Sequence, residues 1–348
     1  MATGPHTIIW DVTYACPLRC GHCYSESGRR PSRALQEEDM CRVADSLIAF
    51  RPGLVAFAGG EPLLARGVFR AAERIAREGI DVDLYTSGWT LAPSHLVEIR
   101  RIFSRVHVSI DGATAQVHDQ IRGRTGSFDR ALQALTLLDE AAAGAEPPGG
   151  SGFSFGIDCT VVQSGFGQLE DFCTALAPRF PHLSFISFDA AAPVGLASRP
   201  SYVRDELLTD AQLELLGNPD YRSHLQSLAP SGVTVDTSDN GALRMRPDQL
   251  VGDQFMAGLM QVEPDGQVRA MAVYEGTVGS LLTDPPELLW ERAVERRSDP
   301  FVVEVLSAVT TMKDWAEAAR RMDLRFGSAE VRQRIAKRPE YTAVPARA

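Results

Sequence analysis

Three cysteines stand close together near the start of the chain, at Cys16, Cys20 and Cys23. Cysteine thiolates hold iron–sulfur clusters, and a 4Fe–4S cube normally takes four of them. Three thiolates at the spacing C-x3-C-x2-C would therefore leave one iron of such a cube without a protein ligand. Because an iron with an open position can bind a small molecule and act on it, this spacing predicts a reactive cluster.

A zinc site and disulfide bonds are the alternatives for these cysteines. Structural zinc takes four protein ligands, and His22 lies between Cys20 and Cys23, which is too cramped for a regular tetrahedron. Disulfides are usual in small secreted domains, whereas this chain has 348 residues and no basic-plus-apolar signal pattern at its start. The cluster is therefore the preferred interpretation.

With this spacing the chain resembles the radical S-adenosylmethionine (radical SAM) enzymes. The turn Gly59-Gly60-Glu61-Pro62 matches, residue for residue, the motif that contacts the amino group of the methionine moiety in that family, although a tight β/α turn is its simpler interpretation. The resemblance implies one 4Fe–4S cluster on the three cysteines, with S-adenosylmethionine at the open iron. It also implies a one-electron donor such as flavodoxin or ferredoxin.

Five further positions resemble cofactor contacts of the family. Thr86 and Ser87 follow the third predicted strand, where the family places groups near the carboxylate or ribose of S-adenosylmethionine. Ser109 lies in the fourth-strand region of the resemblance, and we expect Arg122 to pair with the methionine carboxylate, because a guanidinium fork suits a carboxylate. His22 stands where the family has an aromatic ring beside the adenine. Ordinary loop and strand-end roles are the alternatives.

Four aspartates in or at the ends of predicted strands are candidates to contact a substrate: Asp11, Asp111, Asp158 and Asp189. Carboxylates inside a barrel are costly unless they bind something, and a substrate rich in hydroxyl or amine groups would satisfy them. Bonds to barrel arginines and serines, or an outward orientation, are the alternatives. Cys159 is a candidate hydrogen-atom donor, although an isolated buried cysteine is usually a small core residue.

The elements that must position these residues alternate between strands and helices. Short apolar runs such as Thr7 to Thr13 and Leu54 to Ala58 predict buried strands, and six β/α units follow one another up to Phe188. The Ala-, Gly- and Pro-rich stretch 141–152 predicts an exposed loop. Strict alternation predicts an α/β fold with a parallel sheet covered by helices. Six units favour a partial (β/α)6 TIM-like barrel with its chemistry at the C-terminal strand ends.

The chain changes character after Pro193. We therefore divide it into a radical SAM core, residues 1–195, and a small C-terminal α+β extension, residues 196–348, which resembles the SPASM/twitch extension of the family. Cysteines bind auxiliary clusters in that extension. Here Met256 and Met271 stand where we align cysteines, and no cysteine follows Cys173. The resemblance thus implies the fold of the extension without its metal.

Composition excludes some classes of partner. The net charge of −10 and the isoelectric point of about 5.3 argue against nucleic acid or an anionic membrane as the main partner. No apolar run approaches the ~20 residues that span a bilayer. A cytoplasmic location is expected, since reducing conditions keep thiolates available to iron.

The resemblance implies that S-adenosylmethionine is cleaved reductively to a 5′-deoxyadenosyl radical, which abstracts hydrogen from the substrate. We expect a small polyhydroxylated metabolite, such as a sugar or nucleoside intermediate of antibiotic biosynthesis. Peptide-modifying relatives often carry an N-terminal recognition domain, and the first strand here begins by Thr7. Without an auxiliary cluster, a redox-neutral reaction is expected, either a lyase-type decarboxylation or an epimerisation. The alternatives are modification of a ribosomally made precursor peptide and a non-catalytic iron–sulfur sensor or scaffold.

Overall fold

A parallel sheet forms the centre of the molecule. The computed structural model describes residues 4–144, 153–252 and 254–342. The first six strands are β1 (Thr7–Thr13), β2 (Leu54–Gly59), β3 (Asp81–Thr86), β4 (Arg105–Ser109), β5 (Ser154–Val161) and β6 (Phe185–Ala190). Each pairs with the next in parallel, so sequence order is also spatial order. The predicted order of six β/α units is confirmed.

Helices connect these strands and cover the outer face of the sheet. They are α1 (Glu37–Ala49), α2 (Val68–Ala76), α3 (Leu96–Ile102), α4 (Ala115–Arg122), α5 (Ser127–Ala143) and the short α6 (Leu169–Asp171), which continues as a π-helical turn, Phe172–Leu176. Helix α4 was not predicted. The side chain of Thr114 accepts from Val117 N at its start, and Gly123 ends it with a φ of 65°, a conformation that glycine adopts without strain. Residues 145–152 of the predicted loop lie outside the described residues.

The main hydrophobic core lies between the sheet and these helices. In β1, Ile8, Trp10 and Val12 are at most 1% exposed and belong to this core. Because successive side chains of a strand point to opposite faces, Asp11 and Thr13 face the interior of the curved sheet. In β5 the same alternation places Asp158 and Thr160 on the inner face, opposite Ile157 and Cys159 in the core.

The C-terminal part of the chain extends the same sheet at both edges. Its strands are β7 (Thr234–Ser238), β8 (Leu259–Val262), β9 (Gln267–Arg269) and β10 (Thr277–Ser280). Strand β7 pairs in parallel with β6, and β8 pairs in parallel with β1. Strands β9 and β10 continue in antiparallel fashion from β8. These pairings satisfy the backbone groups that edge strands would otherwise expose, so the extension does not build a separate sheet.

Seven helices complete the described C-terminal part: α7 (Pro200–Asp205), α8 (Asp210–Leu216), α9 (Pro219–Leu228), α10 (Pro286–Arg297), α11 (Pro300–Ser307), α12 (Met312–Phe326) and α13 (Ala329–Ala336). A second hydrophobic cluster includes Met271, which is 5% exposed, and Met256 packs against it. Both methionines therefore serve as apolar packing residues. Among the described helices, none combines the length and apolar character that crossing a membrane requires. The division at residue 195 stays a proposal.

Candidate active site

The three cysteines lie on the loop that follows β1, here called the cysteine loop (residues 14–28). All three line one cavity at the C-terminal ends of the strands and carry free thiols. Within the described ranges, no three histidine, cysteine or carboxylate side chains are arranged to hold a single metal ion. Three free thiols lining one cavity fit a cluster, in which each thiolate binds a different iron.

The protonation of these thiols is coupled to metal binding. Burial raises the pKa of Cys16 to about 12, and the neighbouring Cys20 raises it as well. Burial also raises the pKa of Cys20 to about 11, although Arg122 lowers it in part. Without metal both thiols are therefore protonated at neutral pH. Since iron takes the thiolate form, cluster binding releases these protons.

Arginine side chains hold the backbone of the cysteine loop. All six carbonyl oxygens from Cys16 to Gly21 accept a hydrogen bond from a guanidinium group. Arg19 donates to Cys16 (3.0 Å) and Leu18 (2.7 Å), Arg124 to Pro17 (2.6 Å), Arg29 to Arg19 (2.5 Å) and Cys20 (3.3 Å), and Arg199 to Gly21 (2.9 Å). The loop is irregular, so these side chains supply partners that secondary structure would otherwise provide.

The turn after β2 packs directly against the start of the cysteine loop. Gly60 N donates to Thr13 O (2.7 Å), and Glu61 N donates to Ala15 O (2.9 Å). A Cβ atom on Gly60 would collide with the carbonyl of Ala15, so only glycine permits this approach. Gly59, which has a φ of 114°, and Gly60 both line the cavity.

The carboxylate of Glu61 braces the neighbouring strand ends. It is fully buried and accepts from Thr86 Oγ1 (2.8 Å), Ser87 N (2.9 Å) and Ser87 Oγ (2.5 Å). Burial raises the pKa of Glu61, and the bonds from Ser87 and Thr86 lower it in part. Neither Glu61 nor Pro62 is among the residues that line the cavity, whereas Thr86, Ser87 and Ser109 are. Of this motif only the two glycines line the cavity, and its contact with S-adenosylmethionine stays a prediction.

Asp111 is the centre of a buried polar group beside Cys20. Arg122 contacts both of its oxygens, with Nε 2.6 Å from Oδ2 and Nη2 2.7 Å from Oδ1. His22 Nε2 lies 2.9 Å from Oδ2, and Thr160 N donates to Oδ1 (3.0 Å). Burial alone would raise the pKa of Asp111, but Arg122 and His22 hold it well below its usual range. Arg122 Nη1 also lies 3.9 Å from the sulfur of Cys20.

This arrangement bears on two predictions. Asp111 was expected to contact a substrate, but its oxygens are already occupied by groups of the protein. Arg122 was expected to pair with the methionine carboxylate, but its guanidinium is bound to Asp111. Arg122 and His22 both line the cavity, so their predicted roles beside the cofactor stay proposals.

The remaining interior aspartates differ in their surroundings. Asp11 is fully buried and accepts from Tyr24 Oη (2.5 Å) and Gln261 Nε2 (2.8 Å). These bonds leave Asp11 poorly placed to contact a substrate, which corrects that prediction. Asp158 lines the cavity, and burial together with nearby Asp189 raises its pKa to about 6. Asp189 accepts from Ser187 Oγ (3.0 Å), and burial raises its pKa too.

Cys159 does not fit the predicted role of hydrogen donor. It is 1% exposed and belongs to the main hydrophobic core. Its strand neighbours Asp158 and Thr160 line the cavity, so Cys159 points to the helix-covered face. The sequence also offered no signal for Gln261, which lies 250 positions from Asp11 and reaches it because β8 pairs with β1.

Known proteins resemble this chain in sequence and in structure. Residues 10–145 match the profile described as "Radical SAM superfamily". The mycofactocin maturase MftC of Mycolicibacterium smegmatis is 32% identical over 178 residues, which are 51% of this chain and 42% of that protein. The AdoMet-dependent heme synthase of Methanosarcina barkeri is 26% identical over 314 residues, 84% of each protein. The chain thus spans less than half the length of the maturase.

Solved structures share the fold at low sequence identity. SuiB of Streptococcus suis, bound to the precursor peptide SuiA, has a TM-score of 0.63 at 14% identity and covers 99% of this chain and 76% of that one. The protein anSMEcpe, with bound AdoMet and Cp18Cys peptide, has a TM-score of 0.60 at 15% identity and covers 95% of this chain and 99% of that one. These likenesses confirm the α/β fold of a partial barrel.

Proposed function

This chain belongs to the radical SAM superfamily, and we propose that it is an enzyme that removes a hydrogen atom from a peptide substrate. The cofactors of the superfamily are a 4Fe–4S cluster and S-adenosylmethionine. The observation that carries the proposal is one cavity lined by Cys16, Cys20 and Cys23 together with Gly59 and Gly60. A sensor or scaffold would have no need of glycines that let a ligand approach the backbone beside its cluster.

The residues of the cavity fit these cofactors. When bound and reduced, the cluster and S-adenosylmethionine supply an organic radical that can take hydrogen from an unactivated C–H bond. The three thiolates hold the cluster, and the missing fourth thiolate leaves room for the second cofactor. Gly59 and Gly60 present a backbone without side chains to that ligand.

The polar side chains of the cavity orient the second cofactor. Thr86, Ser87 and Ser109 place hydroxyl groups at the ends of adjacent strands. Glu61 fixes Thr86 and Ser87 through the hydrogen bonds described above. Arg122 contributes positive charge on the side of Cys20. Thr86 and Ser87 donate their O–H groups to Glu61, so their oxygens offer acceptor positions to a ligand. Because these groups are held before any ligand binds, little ordering is required at the moment of reaction.

A peptide substrate is favoured over the small metabolite expected from the sequence. Two structures with the same fold are described with bound peptides, SuiB with the precursor peptide SuiA and anSMEcpe with Cp18Cys peptide. Both likenesses extend over nearly the whole chain, including the C-terminal strands. With no cysteine after Cys173 in the sequence, a redox-neutral modification of the peptide is the simplest outcome.

A small hydroxyl-rich metabolite is the second candidate, and one observation favours it. Asp158 and Asp189 lie near the ends of adjacent strands, and Asp158 faces the cavity. Burial and Asp189 raise the pKa of Asp158 to about 6, so Asp158 is partly protonated near that pH and can donate as well as accept hydrogen bonds. Burial also raises the pKa of Asp189. Such groups suit sugar hydroxyls, and decarboxylation or epimerisation of a sugar would then be the reaction.

A substrate screen after anaerobic reconstitution tests both candidates. The protein, loaded with iron and sulfide, is given S-adenosylmethionine and dithionite with either short peptides encoded beside its gene or a panel of sugars and nucleosides. We expect 5′-deoxyadenosine together with a modified peptide, detected by a mass change or, for an epimerisation, by deuterium taken up from heavy water. Turnover with a sugar and not with any peptide would select the second candidate. An iron-loaded protein that forms no 5′-deoxyadenosine in either arm would contradict the enzyme proposal.

We propose further that an acidic one-electron donor, such as flavodoxin or ferredoxin, docks at the cysteine loop. Arg19, Arg29 and Arg124 are exposed there on a chain whose net charge is −10. Such a local reversal of charge steers an anionic partner. Turnover driven by flavodoxin should fall as salt is raised, whereas turnover driven by dithionite should change little. Equal salt dependence in the two arms would contradict the docking.

A further inference from the structure

The side chain of Arg199 ties the cysteine loop to two distant segments. It is 9% exposed and donates from Nη2 to Gly21 O (2.9 Å), from Nη1 to Pro339 O (2.9 Å) and from Nε to Leu196 O (2.7 Å). Gly21 stands between the second and third cysteines. One guanidinium thus joins the loop, the chain after β6 and the last part of the described chain.

Aromatic rings lie directly against Gly21 as well. A Cβ atom on Gly21 would be 3.1 Å from ring carbons of both Tyr202 and Tyr341. These two rings pack edge to face, with centroids 4.8 Å apart. Tyr341 is fixed in turn, since its hydroxyl donates to Glu206 (2.7 Å) and its backbone N–H donates to Ser201 (2.8 Å). The loop therefore rests on a ring that belongs to the C-terminal segment.

A buried charge of the cysteine loop is neutralised from the same segment. Glu26 is 3% exposed and has a φ of 54°. One of its oxygens, Oε1, accepts from Arg338 Nη2 (2.7 Å), Arg338 Nε (3.1 Å) and Arg334 Nε (3.0 Å). A buried carboxylate without such partners would be costly. The conformation of this part of the loop thus depends on two arginines in the last 15 described residues.

We propose that residues 328–342, here called the C-terminal strap, set the cluster-binding conformation of the cysteine loop. The strap contacts the loop at Gly21, within the cysteine motif, and at Glu26, three residues after Cys23. Glu26, Arg338 and Tyr341 are accordingly positioning residues, which act on the cofactor through the loop. This proposal rests on the cluster site of the proposed function, and it does not depend on which of the two substrate candidates is correct.

The loop needs such support because its own sequence gives it little. It has no regular secondary structure between β1 and α1, and three cysteine sulfurs must keep fixed relative positions to bind three irons of one cube. Binding energy is lost when the ligands have to be ordered at the time of binding. A preformed loop retains its cluster longer than a mobile one, so the strap should control the rate of cluster loss.

The test is the rate at which reconstituted protein loses iron to a ferrous chelator, without substrate. Glu26→Gln and Arg338→Ala should each release iron about tenfold faster than the unchanged protein, the scale of one charged hydrogen bond. Arg338→Lys keeps the charge and should release iron at an intermediate rate. Lys337→Ala, an exposed change on the same segment, is the matched control and should behave as the unchanged protein.

A second readout separates positioning from simple loss of stability. Each variant is checked by circular dichroism as metal-free protein, and the electron paramagnetic resonance signal of its reduced cluster is recorded with and without S-adenosylmethionine. We expect an altered signal in folded Glu26→Gln. If that variant does not fold, Tyr341→Leu, which removes the ring beside Gly21 together with its hydroxyl bond to Glu206, decides in the same assay. Unchanged iron release and an unchanged signal in a folded variant would overturn the proposal.

Discussion

The buried pair of Asp111 and Arg122 gives a prediction whose size follows from the structure. The side chain of Asp111 has no exposed surface, and that of Arg122 is 9% exposed. Asp111→Asn keeps the shape but places an amide where a carboxylate oxygen faces Arg122 and His22. Removing one partner of a buried ion pair costs about 3–5 kcal/mol. The free energy of unfolding of the metal-free protein should therefore fall by that amount.

Urea unfolding of the metal-free protein, followed by circular dichroism without oxygen, measures this loss as a shift in midpoint at constant slope. The control is Asp45→Asn, because Asp45 pairs with Arg74 while both side chains are about half exposed. An exposed pair contributes less than about 1 kcal/mol. The double change Asp111→Leu with Arg122→Leu removes both charges and should recover most of the stability. A loss in Asp111→Asn no larger than the control's would refute the reasoning.

Three further predictions concern other parts of the fold. Burial would raise the pKa of Glu275, but arginines led by Arg269 lower it from 4.5 to about 2. It therefore stabilises the fold above pH 4.5, and this contribution is lost as the pH falls towards 2. In calorimetry, Glu275→Gln should lower Tm at pH 7, and Tm should then fall less steeply as the pH is lowered. A fall of Tm with pH as steep as in the unchanged protein would contradict this. Gly60→Ala should lower the amount of iron bound after reconstitution. Gly167→Ala, whose added Cβ meets no atom, should not lower it. Equal iron in the two variants would contradict the close approach of Gly60 to the carbonyl of Ala15. Arg51 is exposed and has a φ of 50°, so Arg51→Asn should raise the unfolding free energy by about 1 kcal/mol, and a lower Tm would contradict the strain.

Local sequence patterns predicted most of the barrel correctly. The six strands are short apolar runs with helices between them, and their parallel order follows from the alternation. The cysteine spacing and the Gly59-Gly60 turn are likewise local, and the structure brings them to one cavity. These features could be predicted because each depends on residues close together in the chain.

Contacts between distant segments could not be predicted in this way. The pairing of β8 with β1 and the contacts of Glu26 with Arg338 join residues more than 240 positions apart. Neither contact is indicated by a periodic pattern in the sequence. The partners of Asp111 come from the cysteine loop, from β5 and from helix α4, which was itself not predicted.

The roles predicted for two adjacent residues of β5 exclude each other. Asp158 as a substrate contact and Cys159 as a hydrogen donor would both act from the interior, yet adjacent residues of a strand point to opposite faces. Placing Asp158 inside already required Cys159 to face the helices. The structure shows this arrangement, with Asp158 at the cavity and Cys159 in the core.

The most direct test of the central claim is the iron content and spectrum of the anaerobically reconstituted protein. We predict about four irons per chain, and a reduced-cluster resonance that changes when S-adenosylmethionine is added. Cys20→Ala should lose this signal, while Cys41→Ala, on helix α1, should keep it. A protein that binds no iron, or whose cluster signal is unaffected by S-adenosylmethionine, would contradict the account.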